Sequence, residues 1–181
     1  MKYSQIYKQT VSDGVGIRVS LYVSGCRNHC PGCHNPESQD FEYGKEFTLA
    51  TMNEVISALT PSYITGLTLC GGEPMELENQ KELKNLVKLV KAHLPKKTIW
   101  CYTGYEFSDL RPGGKRYAED TDDLLNNLDV LVVGPFIQDK RDITKNNKWR
   151  GSTNQRVINV PDSLKAGKPI PVVGIPNNDI N

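Results

Sequence analysis

Short apolar runs separated by amphipathic stretches set the rhythm of this chain. Residues 17–23 (IRVSLYV) predict a strand that leads straight into Ser24-Gly25-Cys26, and the loop behind it ends near Asn35-Pro36. Residues 51–59 (TMNEVISAL) place Val55, Ile56 and Leu59 on one helical face. A second strand is predicted over 64–69, ending at Cys70-Gly71-Gly72-Glu73-Pro74. The strongest helical pattern lies between Asn79 and Leu94. Leu83, Leu86, Val87, Val90 and Leu94 recur at helical spacing, Lys84, Lys88 and Lys91 fall on the other side as a solvated face, and Pro95 ends the helix. Strands over 98–102 and 130–133, a helix over 122–128 and a last strand over 157–160 complete the pattern.

Strands alternating with helices imply right-handed βαβ units, an α/β fold and a mainly parallel sheet. Ligands of such sheets gather at the carboxyl ends of the strands. The cysteine loop follows one predicted strand and Gly71-Gly72-Glu73 follows the next, so both are expected on one rim. Pro112 to Arg116 reads as an exposed loop. The regular structure is expected to occupy 1–160, and 161–181, with Pro161, Pro169, Pro171 and Pro176, to be an irregular tail draped in part over the domain.

Composition narrows the class. At 181 residues the chain suits one domain with a sizeable core, and 38% apolar with 24% charged residues is ordinary for a globular protein. A net charge of +1 gives no electrostatic reason to expect nucleic acid or an anionic membrane. No apolar run approaches the roughly 20 residues that span a bilayer, and the first residues form no signal peptide, so the cytoplasm is the expected location. Five cysteines, three of them within residues 26–33, make a poor disulfide framework and a good metal site in a reducing compartment.

The spacing is CxxxCxxC: Cys26-Arg27-Asn28-His29-Cys30-Pro31-Gly32-Cys33. A [4Fe–4S] cube takes four thiolates. Three close together leave one iron without a protein ligand, which is useful only if something else binds there. The competing reading is structural zinc with His29 or His34 as fourth ligand, although zinc sites usually combine two separated pairs. Gly71-Gly72-Glu73-Pro74 reads either as a tight turn or as backbone that lets an amino-acid ligand approach, its ammonium meeting carbonyls and the Glu73 carboxylate. Cys70 and Cys101 have no thiol neighbours in sequence and read as buried small hydrophobes. Trp149 to Arg156 (WRGSTNQR) is richer in distinctive residues than a linker needs, which suggests a docking or site-closing role.

At these residues the chain resembles the radical S-adenosylmethionine enzymes, and among them the activases of anaerobic ribonucleoside-triphosphate reductase. The resemblance runs over about 3–160, through DGVGIR (13–18), SGC (24–26) and the cysteine loop, GGEP (71–74), YTGY (102–105), DVLVVGPF (129–136) and WRGSTNQ (149–155). The cysteine motif marks the superfamily; WRGSTNQ and GPF point to the activase branch, as does Gly32 where many members carry an aromatic. Cys70 stands where the family more often has serine.

The resemblance implies an incomplete (β/α) barrel of the radical S-adenosylmethionine type over 1–160. It implies that Cys26, Cys30 and Cys33 ligate a catalytic [4Fe–4S] cluster, and that Gly32, Cys33, His34, Gly71, Gly72 and Glu73 hold S-adenosylmethionine on the open iron. One-electron cleavage then yields a 5′-deoxyadenosyl radical that takes a hydrogen from a glycine of the reductase. The implied partners are the large subunit of that reductase and an electron donor such as flavodoxin, with no nucleic acid and no membrane. The nearest rival is a pyruvate formate-lyase-type activase or another small radical enzyme. An electron-transfer iron–sulfur protein or a zinc-stapled module would be a different class.

Overall fold

A computed structural model describes residues 1–141 and 149–175. Its centre is one open sheet of seven strands in the order β3-β1-β2-β4-β5-β6-β7. The strands are β1 (Lys2–Thr10), β2 (Ile17–Val23), β3 (Lys45–Glu46), β4 (Ile64–Gly71), β5 (Thr98–Tyr102), β6 (Val130–Val133) and β7 (Arg156–Asn159). β2, β4, β5 and β6 are parallel, as the alternating pattern predicts, while β1, β3 and β7 run antiparallel at the margins. β3 and β7 are the two ends of the sheet and do not pair, so it is not closed into a barrel.

Among the described residues four α-helices accompany the strands: α1 (Leu49–Leu59), α2 (Leu77–His93), α3 (Thr121–Leu125) and α4 (Val160–Ala166). α1 begins two residues earlier than its apolar pattern shows because Thr48 and Thr51 form a reciprocal capping box. α2 buries Leu83, Leu86, Val87 and Val90, the stripe its periodicity marks. The lysines opposite are not simply solvated. Lys84 pairs with Asp120 at 2.5 Å, Lys88 with Asp123 at 2.9 Å and Lys91 with Asp129 at 2.7 Å, tying α2 to α3 and to the start of β6.

β1 escapes the pattern reading. Irregularities between Tyr3 and Gln5 and between Tyr7 and Thr10 break its alternation, and most of its residues stay partly exposed. The segment from 161 also departs from the irregular course expected of it. Asn159 accepts the Asp162 N–H at 2.9 Å as N-cap of α4, Pro161 sits in the first turn, and the following chain bonds back to β7 through Ile170 and Val172. The end of that segment, 176–181, lies outside the described residues.

The two faces of the sheet carry different residues. Val19, Leu67 and Ile99 stand in register across β2, β4 and β5, and so do Leu21, Leu69, Cys101 and Leu131 one step on; all are fully buried beneath α1, α2 and α3. The alternate positions are Arg18, Ser20 and Tyr22 on β2, Thr68 and Cys70 on β4, and Trp100 and Tyr102 on β5. Arg18 is wholly buried near the amino end of this second face. It donates to Thr68 Oγ1 (2.7 Å), Thr98 Oγ1 (3.0 Å) and the carbonyls of Val15, Leu67 and Thr98, with the Trp100 ring 5.4 Å away. Burial pushes its guanidinium down to about 10. Trp100, Val132 and Val157 form a small second core there, packed by Trp149, Val172 and Ile175.

Candidate active site

At the carboxyl ends of the parallel strands this second face opens into a cavity of about 580 Å³. Its size falls in the range of small-molecule and cofactor sites. Cys26, Cys30 and Cys33 all lie on its wall, each partly exposed, together with His34, Gly71, Gly72 and Glu73. Gly32 does not line it; a side chain at that exposed position would meet Gln138 instead. The predicted rim is therefore real, and all but one of the expected site residues converge on it. Among the described residues no three His, Cys, Asp or Glu side chains gather as the shell of a single ion. A cube does not require that, since each thiolate binds a different iron.

Two glycines fit the turn onto the cysteine loop. Gly71 has φ 108° and Gly72 donates to the Val23 carbonyl at 2.7 Å, while Glu73 N–H reaches the Gly25 carbonyl at 2.9 Å. A Cβ on Gly72 would lie 2.6 Å from the Ser38 carbonyl oxygen and 2.7 Å from that of Gly25. Backbone pressed against backbone therefore demands glycine here, before any ligand approaches. On its other side the loop is stitched by Gly25 N–H to Ser38 O (2.8 Å) and Cys26 N–H to Gln39 O (3.0 Å).

Glu73 is 1% exposed and joins three segments. Its Oε1 accepts the Met75 N–H (2.9 Å), and its Oε2 accepts the Gly104 N–H (2.7 Å) and Asn28 Nδ2 (3.1 Å). Burial pushes the acid up to about 7, and the backbone donors pull against it. A cation brought to this wall would restore the charged form. Burial also raises the Cys26 thiol to about 12, against the Asn28 N–H that points at its sulfur (3.4 Å), and raises Cys30 in the same sense. A metal reverses that balance, because a coordinating thiol is deprotonated outright.

A family model described as a 4Fe–4S single cluster domain matches residues 12–158. Proteins named anaerobic ribonucleoside-triphosphate reductase-activating protein match nearly the whole chain. The one from Enterobacteria phage T4 is 38% identical over 164 residues, 91% of this chain and 97% of its own length. That of Escherichia coli K12 is 37% identical over 159 residues, covering 87% and 97%, and that of Vibrio cholerae 38% over 157, covering 86% and 96%. The chain belongs to the family of anaerobic ribonucleoside-triphosphate reductase-activating proteins.

In this member of the activating-protein family, the segments that carry the resemblance meet at the cavity. Asp13, Tyr102, Thr103, Gly104 and Phe136 line it, as do Trp149, Arg150, Gly151 and Gln155. The Trp149–Arg156 stretch forms part of the cavity wall. Arg150 is 8% exposed and donates to the Gln155 carbonyl at 3.3 Å. Gln155 accepts the Gly151 and Ser152 N–H groups (2.8 and 3.2 Å) and donates to Gly134 O at 2.8 Å, locking WRGSTNQ onto GPF. Trp149 takes φ 61°, rare for a bulky residue, and meets Trp100 edge-on at 5.5 Å. Cys70 also lines the cavity, between Tyr22 and Tyr102, while Cys101 is buried on the helix side; both are free thiols, as their isolation in sequence suggested.

Sequence reasoning gave no role to Arg27, Asn28, Glu76 or Gly104. Nothing local marks them, because their partners across the site lie 29 to 51 residues away.

Proposed function

We propose that the chain activates an anaerobic ribonucleoside-triphosphate reductase, as its relatives are named for doing, and that it does so as a radical S-adenosylmethionine oxidoreductase. The observation that carries this reading is the meeting of all three motif cysteines with Gly71-Gly72-Glu73 in one cavity. Cys26, Cys30 and Cys33 would hold a [4Fe–4S] cluster, which would supply the electron for reductive cleavage of S-adenosylmethionine and so for removal of a hydrogen from a reductase glycine. The donor set fits: three sulfurs on one loop wall, and no fourth cysteine in that loop.

The chain's own residues bind and orient. Glu73, with its acid raised by burial, is charged most readily when a cationic ligand faces it, and the methionine ammonium of S-adenosylmethionine is such a ligand. The cavity-lining backbone at Cys33, His34, Gly71 and Gly72 completes the cradle, with Gly32 shaping the loop from outside. Tyr22, Cys70 and Tyr102 floor the cavity and, with Trp149 and Phe136, keep a reactive centre from bulk water. The open sheet over 1–160 corresponds in this reading to an incomplete (β/α) barrel whose missing strands leave room for the reductase's glycine loop. The large subunit of the reductase and an electron donor such as flavodoxin are the partners, and the cytoplasm is the setting. Among the described residues no helix is long and apolar enough to cross a membrane.

Anaerobic reconstitution with iron and sulfide tests the reading. A visible charge-transfer band, and 5′-deoxyadenosine released only with S-adenosylmethionine and a reductant, are expected. A colourless protein retaining zinc would contradict it, since zinc gives no such absorption.

A further inference from the structure

Glu76 is fully buried and precedes the first residue of α2. A polar side chain at this position commonly turns inward to accept N–H groups of its own helix. Glu76 makes no such bond. Its Oε1 accepts the backbone N–H of Arg27 (2.9 Å) and the Tyr105 hydroxyl (2.8 Å), and its Oε2 accepts Arg27 Nη1 (2.7 Å), with Arg116 Nη2 at 3.6 Å. One carboxylate thus binds Arg27 at both its main chain and its side chain. Glu78 grips the same guanidinium from outside at 3.0 and 2.5 Å, and the Phe41 ring packs against it at 4.3 Å.

Glu73 repeats the arrangement one residue along. It holds Asn28 and the Gly104 N–H, where Glu76 holds Arg27 and Tyr105. Two acids of a single turn therefore fasten consecutive residues of the cysteine loop to consecutive residues beyond β5. Arg27 is bonded directly to Cys26, so the position of that cysteine follows the position of Arg27.

We propose that Glu76 is a positioning residue of the cluster site: acting through Arg27, it fixes Cys26 against the turn before any metal arrives. It touches neither metal nor cofactor. Its effect is to have ordered the loop in advance, so that less conformational entropy is lost when ligands assemble. The inference rests on the reading of Cys26 as a cluster ligand, yet it can be tested without the cluster.

The metal-free full chain is alkylated with iodoacetamide under native conditions, and the rate at each of the five cysteines is read by peptide mass spectrometry. Arg27 is half-exposed, so Arg27→Ala is the milder variant; Glu76→Gln is the second. Both are expected to speed labelling of Cys26 by roughly tenfold, the factor carried by loss of one hydrogen bond to a charged group. Cys101, fully buried on the helix side, keeps its wild-type rate. The double variant falls short of the product of the two single effects, because both changes break the Arg27 Nη1–Glu76 Oε2 contact. Unchanged Cys26 labelling, equal acceleration of all five thiols, or additive effects in the double variant would each overturn the positioning role. A wild type that shows the clamp but never binds iron would instead overturn the proposed function and leave the clamp standing.

Discussion

The same strands build two unlike faces. Leu69 and Cys70 are neighbours on β4, yet Leu69 enters an aliphatic core under three helices while Cys70 lines the cavity between two tyrosines. The helix-covered face is built for stability and the bare face for a ligand, and alternation along each strand lets one backbone serve both. The bare face also takes its remaining cover from far along the chain, from Trp149, Val172 and Ile175, rather than from the βαβ helices.

The largest expected effect lies on the rim of the bare face. Cys26→Ala, Cys30→Ala or Cys33→Ala each abolishes iron binding on anaerobic reconstitution, whereas Cys70→Ser and Cys101→Ser retain it. Iron and sulfide assays check this, and an indispensable Cys70 or Cys101 would erase the distinction between rim and strand cysteines. Next comes Gly72→Val. With the Ser38 and Gly25 carbonyls 2.6 and 2.7 Å from the new Cβ, the cysteine loop must move off the turn. The variant is expected to lose iron retention along with cofactor binding; if it keeps a full cluster and loses only S-adenosylmethionine, the glycine serves ligand approach instead.

A paired measurement sharpens the contrast between faces. Leu69→Ala, emptying a fully buried site under the helices, costs about 2–5 kcal/mol. Cys70→Ser, one residue on, is expected to cost about 1 kcal/mol. Denaturant midpoints of the two variants give the comparison directly, and equal losses would mean that the bare face is core as well.

The faces were unequally legible. Leu83, Leu86, Val87 and Val90 announced α2 because a helix on a sheet repeats its contacts at a fixed period, and 130–133 announced β6 as a short apolar run. β1 stayed hidden because its irregular pairing interrupts the alternation that a strand shows. α4 carried a readable signal, an Asn cap followed by proline in the first turn, which the density of prolines in the surrounding segment masked. At the site, the cysteine spacing and the glycine turn are local and could be read directly. Arg27, Glu76 and Gly104 act through contacts across 29 to 51 residues, and no local pattern encodes such partners. Arg150, too, finds its Gln155 carbonyl partner only once the 149–156 segment folds back on itself.

A further expected effect concerns ligand binding at Glu73. Glu73→Gln is expected to weaken S-adenosylmethionine binding by about 1.5–3 kcal/mol, the worth of a charge-assisted hydrogen bond. The acid of the ligand-free protein is raised to about 7, so its carboxylate accumulates as pH rises through that value. Affinity for a cationic ligand therefore climbs across this window in the wild type and stays level in Glu73→Gln. Calorimetric titrations on either side of pH 7 separate the two, and parallel profiles would remove Glu73 from the binding wall.

In the proposed function the bare face delivers a radical to a reductase glycine. The most direct test is electron paramagnetic resonance of an anaerobic ribonucleoside-triphosphate reductase after incubation with the reconstituted chain, S-adenosylmethionine and a reductant. A glycyl radical is expected on the reductase, and none when Cys30→Ala replaces the wild type. A wild-type chain that holds its cluster and cleaves S-adenosylmethionine, yet leaves the reductase without a radical, would contradict it.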